Sequence, residues 1–96
     1  MQIPPTKLGG MELTPENQKN FADNIKSFVC FTRILNMTGQ PAMSVPLFWN
    51  ESNIPIGVQF AGRFGDEATL FQLAAQLEKS RPWVDNIPPI HCSNPL

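Results

Sequence analysis

Any chemistry in this 96-residue chain must be carried by a few side chains, and the candidates are scattered. Ser27, Ser44, Ser52, Ser80 and Ser93 stand singly, and none lies in a glycine-rich turn whose N–H groups could hold an oxyanion. Lys7, Lys19, Lys26 and Lys79 sit in polar company, as solvated lysines do. His91 and Cys92 are adjacent, a pairing that invites a thiol or metal reading. Adjacent residues in a strand point to opposite faces, however, and no further ligand accompanies them, so a polar tail is the expectation. Asp66-Glu67 could serve as a carboxylate pair for acid–base work. Ahead of a leucine-rich run it is more simply a helix cap with charge matched to the helix dipole. Arg63 would then pair with Asp66 or bind a carboxylate elsewhere. The remaining candidates are Thr32, Asn36 and Gln40, polar residues within an otherwise apolar segment. They can hydrogen-bond a substrate; alternatively, Asn36 and Thr38 satisfy backbone groups where a helix ends. No residue set points to a metal or a cofactor.

The elements that must position these residues follow from periodicity. Residues 1–13 form a Pro/Gly-rich extended segment closing in Gly9-Gly10. Thr14-Pro15-Glu16 has the residue types of a helix start: a cap, a proline suited to the first turn, and an acid at the positive end. Phe21, Ile25, Phe28 and Val29 then share one face, with Lys19, Asp23 and Lys26 toward water. The pattern continues through Phe31, Ile34 and Leu35 to Met37, allowing a break at Cys30–Thr32, and Gly39 is placed to stop it. Pro41–Leu47 reads as a strand and Asn50-Glu51-Ser52-Asn53 as a turn. Ile54–Gly62 reads as a second strand, with Ile56, Val58 and Phe60 on one face. Gly57, Gln59 and Ala61 form a small face that a helix could approach closely. Asp66 caps a second helix carrying Leu70, Leu73, Ala74 and Leu77 on one stripe. Residues 84–96 are a Pro-rich tail. The expected fold is mixed α/β, a helix–β-hairpin–helix unit over 14–83 within one domain of 1–96, both helices lying on one side of the hairpin.

Composition bounds the partners. A net charge of −1 with no basic run leaves no electrostatic footprint for nucleic acid or a membrane surface. No apolar run approaches a spanning helix and the start lacks a signal pattern, so a cytoplasmic protein is expected. Cys30 and Cys92 are too few to staple a small secreted fold and fit inert thiols. The triplets Asn36-Met37-Thr38 and Asn50-Glu51-Ser52 match a glycosylation acceptor, a pattern common by chance and without a secretory signal to support it.

One stretch is more specific than any of this. Asn36, Thr38, Gly39, Pro41, Ala42, Ser44 to Leu47, Pro55 to Gln59, Gly62, Arg63, Asp66 and Glu67 stand in the order and spacing of Asn-x-Thr-Gly-x-Pro-Ala-x-Ser-Val-Pro-Leu, a loop, Pro-Ile-Gly-Val-Gln, Gly-Arg and Asp-Glu. This closely resembles the C-terminal part of the amidase signature family, serine amide hydrolases with a Ser-Ser-Lys catalytic set, over roughly Pro4 to Trp83. The resemblance implies catalytic residues far upstream, on a Gly-Gly-Ser-Ser-Gly-Gly-like loop that has no counterpart here. It also implies that Phe31–Pro41 comes near the catalytic sheet and that Thr32, Asn36 and Gln40 wall the substrate pocket. Subunits of the family that amidate tRNA often carry aspartate where this chain has Val29, which disfavours that branch. The wording from Phe31 to Leu70 looks more like hydrolases of 6-aminohexanoate cyclic dimers.

The sequence is therefore expected to be a C-terminal fragment of an amidase acting on non-peptide carbon–nitrogen bonds, scaffold and pocket wall, inactive alone. The alternative is a non-catalytic interaction module derived from an amidase. Expected partners are a second copy or the missing N-terminal part, with a small-molecule amide bound only in the intact enzyme.

Overall fold

The structure, a computed structural model, describes residues 7–92, so the expected extended segment at Ile3-Pro4-Pro5 and the end of the Pro-rich tail from Ser93 lie outside the described residues. The order is α1 (Gln18–Val29), α2 (Arg33–Thr38), β1 (Ala42–Trp49), β2 (Pro55–Ala61) and α3 (Glu67–Ser80). The mixed α/β helix–hairpin–helix unit is present, with the break at Cys30–Thr32 separating two helices. The start of α1 is a correction. Thr14–Asn17 closes a turn in which the Asn17 N–H donates to the Thr14 carbonyl, and the helix begins only at Gln18. The Asn17 side chain does not cap; its amide donates to the Glu12 carbonyl at 3.1 Å. Asn24 likewise donates to the Gly10 carbonyl at 2.8 Å, strapping the preceding loop along α1.

β1 and β2 pair antiparallel, from Ala42 opposite Ala61 to Trp49 opposite Pro55, with a bulge between Pro46 and Phe48. Asn50 builds the turn: its Oδ1 accepts from the N–H groups of Ser52 and Ile54, both at 2.9 Å. Asn53 takes the left-handed conformation (φ 57°) that the turn requires. Gly62 N–H donates to the Pro41 carbonyl at 2.9 Å, which makes Pro41–Gly62 a hydrogen-bonding pair and fixes the alternation of the ladder. Met43, Val45, Val58 and Phe60 thus turn their N–H and C=O groups toward the partner strand. Ala42, Pro46, Gly57, Gln59 and Ala61 turn theirs outward. Pro46 falls at an outward position, where a missing N–H costs the ladder nothing.

α3 is the helix that packs on the hairpin, against β1. Asp66 caps it, accepting from the Thr69 N–H at 3.3 Å and the Thr69 hydroxyl at 2.9 Å. That carboxylate makes no ion pair with Arg63, whose carbonyl instead accepts the Asp66 N–H. Close approach occurs at Gly62, where an added Cβ would lie 3.3 Å from the Asp66 carbonyl oxygen and from Leu70 Cγ. Among the described residues Val45 and Leu70 are the buried apolar ones, and Arg81 stacks over the Phe48 ring at 4.7 Å. Val45, Phe48 and Gly62 share the face of Ile56, Val58 and Phe60. The helix therefore covers the apolar face, not the small face of Gly57, Gln59 and Ala61, as apolar burial would dictate. Of the two helices expected on one side of the hairpin, α3 is the one that packs there. α1 makes little contact with the strands and has no buried residue.

Candidate functional site

The polar cluster between α2 and β1 is built from one turn of helix and its stop. Thr32 stands at the N-cap of α2 with helical dihedrals, and its carbonyl accepts the Asn36 N–H at 3.1 Å. Thr32 and Asn36 are four residues apart on continuous helical backbone, so their side chains lie on one face. Neither side chain has a hydrogen bond among the described residues. Asn36 is exposed and Thr32 half-buried. The pair presents hydrogen-bond donors and acceptors on one helix face, suited to a neutral polar group such as an amide.

Gln40 is held differently. Gly39 ends α2 at φ 70° with its N–H on the Leu35 carbonyl, and a Cβ added there would meet Phe64 at 3.4 Å. Beyond it, Gln40 Nε2 donates to the Gly62 carbonyl at 3.2 Å, and Thr38 Oγ1 donates to Gln40 Oε1 at 3.2 Å. The reason lies one residue on. In the pair Pro41–Gly62, an ordinary residue at 41 would donate its N–H to the Gly62 carbonyl; proline has none. The Gln40 side chain supplies the missing hydrogen and ties the end of α2 to the end of β2. The structure thus brings Thr32 and Asn36 together and turns Gln40 to the strand end. The sequence signal for the bridge was a glutamine directly before a proline at the head of a strand. Thr38 satisfies the helix end, whereas Asn36 does not.

The other candidates stay apart. Cys30 is exposed, its Sγ donating to the Ser27 carbonyl at 3.1 Å, and Cys92 is a free exposed thiol. His91 and Cys92 do not point to opposite faces: Nδ1 lies 3.9 Å from Sγ, because the segment is irregular and not a strand. Among the described residues no group of three metal-binding side chains converges. No described helix is long and apolar enough to cross a membrane.

With this geometry in place, the similarities to known proteins are informative. The Amidase family matches residues 1–71. AmiC of Mycobacterium leprae, named as an amidase, is 42% identical over 71 residues, 74% of this chain and 15% of that protein. The 6-aminohexanoate-cyclic-dimer hydrolase of Paenarthrobacter ureafaciens is 41% identical over 71 residues, 74% of this chain and 14% of that protein. A solved 6-aminohexanoate cyclic dimer hydrolase superposes with a TM-score of 0.70 at 36% identity, covering 79% of this chain and 17% of that one. The chain spans about 15% of the length of AmiC. On a family match over residues 1–71, this chain belongs to the amidase family.

Proposed function

We propose that the chain acts as the C-terminal portion of an amide hydrolase, supplying scaffold and one wall of the substrate pocket while the catalytic serines and lysine come from elsewhere. The observation that carries this reading is the likeness to the cyclic-dimer hydrolase, which takes in 79% of this chain but 17% of that one. A serine hydrolase needs nucleophile, base and oxyanion donors held together. The serines and lysines of this chain are dispersed, and none is set in a glycine-rich turn. The substrate class is a non-peptide amide, with a cyclic dimer of 6-aminohexanoate as the first compound to try, since that hydrolase is among the relatives. Within the wall, Thr32 and Asn36 face the amide, and Gln40 fixes the segment that presents them.

Mixing the purified chain with the complementary, catalytic portion of the Paenarthrobacter ureafaciens hydrolase tests this. Neither part alone should release product, and the mixture should. Hydrolysis by this chain alone would overturn the reading. So would a folded chain that restores nothing, which favours an interaction module instead.

A further inference from the structure

α2 is six residues long and has no buried side chain, so burial holds it only weakly against the sheet. The Gln40 carboxamide ties its end to the residue after β2, and a carboxamide can be turned two ways, with nitrogen and oxygen exchanged. The Gly62 carbonyl can only accept. It therefore draws Gln40 Nε2 toward itself, at 3.2 Å, and leaves Oε1 against the Thr38 hydroxyl, also at 3.2 Å. That hydroxyl has one hydrogen and two acceptors within reach. The second acceptor is the Leu35 carbonyl, at 3.4 Å, which already takes the Gly39 N–H at 2.9 Å. The hydrogen goes to Oε1, and the Thr38 oxygen in turn accepts the Gln40 backbone N–H at the long distance of 3.5 Å. Thr38, Gln40 and Gly62 thus form a chain of donors running one way, from the last residue of α2 to the end of the hairpin.

We propose that Thr38 is a positioning residue for the substrate wall. Its hydroxyl holds the Gln40 carboxamide in the orientation that bonds Gly62, and so fixes the angle at which α2 presents Thr32 and Asn36. This rests on the reading of that face as a pocket wall, given above. Thr38 does not share the face: two residues beyond Asn36, it lies about 200° further around the helix axis. It acts on the amide through Gln40, not by touching it.

Thr38→Val keeps the shape of the side chain and removes the hydroxyl, whereas Thr38→Ser keeps the hydroxyl. In the full chain, exchange of the Gln40 side-chain amide hydrogens, followed by nuclear magnetic resonance, should quicken by roughly two- to tenfold in Thr38→Val, as for one neutral hydrogen bond, and by less than about twofold in Thr38→Ser. In the hydrolase reconstituted with the catalytic portion of the Paenarthrobacter ureafaciens enzyme, Thr38→Val should raise KM by roughly two- to tenfold with kcat changed less, and Thr38→Ser should restore it. Added to Gln40→Leu, Thr38→Val should raise KM no further, since the path through the carboxamide is already cut. Gln40 exchange that ignores Thr38→Val would overturn the proposal, as would a KM effect that persists undiminished on Gln40→Leu. Faster Gln40 exchange with an unmoved KM also overturns it, and leaves the function proposed above standing. Failure of the unaltered chain to restore hydrolysis overturns that function, and the positioning role with it.

Discussion

Replacing Gln40 with leucine leaves the Gly62 carbonyl facing a proline that has no hydrogen to give. The bond lost is neutral and partly solvated, so Gln40→Leu should cost about 0.5–1.5 kcal/mol in urea unfolding at fixed protein concentration. Gly39→Ala acts on the same joint by strain. It forces a side chain into a left-handed backbone and against Phe64, and should cost roughly 1–2 kcal/mol in the same measurement. Asn36→Ala has a different signature, since its side chain makes no bond within the described residues. The stability of the chain should not move beyond about 0.5 kcal/mol, whereas KM in the reconstituted hydrolase should rise several-fold. At this scale the sequence was only partly legible. It marked Thr32, Asn36 and Gln40 as polar residues among apolar ones, but could not say which were already engaged. That depends on the strand register, which places Gly62 opposite Pro41.

The elements were easier to read where local chemistry and burial agree. α3 has a capping aspartate, an acidic first turn and a leucine stripe that meets β1, and it lies where those signals place it. Asp66→Ala should remove about 1 kcal/mol and fray its first turn, seen as faster exchange of the Thr69 amide. The hairpin turn was legible through Asn50 and Asn53 for the same reason. α1 was read less well. Thr14-Pro15-Glu16 has the composition of a helix start, yet the chain spends those residues on a turn, and the first helical bonds form three residues later. The apolar stripe of α1 states which face is to be buried and not against what. The bulge in β1 left no trace in the alternation pattern, since a register shift is a property of two strands and not of one.

For the whole molecule, the outstanding fact is how little is buried. Among the described residues Val45 and Leu70 form the core, while Ile34, Met37, Phe64 and Phe71 are at least 62% exposed. Stability in a domain of this size comes from apolar area removed from water, and two such side chains supply only about 3–6 kcal/mol before conformational entropy is counted. The chain should therefore draw stability from association, and its melting temperature should rise with protein concentration and rise further on adding the catalytic portion of an amidase. A melting temperature independent of both would show a self-sufficient fold. Pro46 has a last consequence here. Because it sits at an outward position of β1, it takes one N–H out of that edge, and the bulge beside it breaks the register that a further strand would follow. The device that shapes one end of a small hairpin thus also makes β1 a poor template for strand addition.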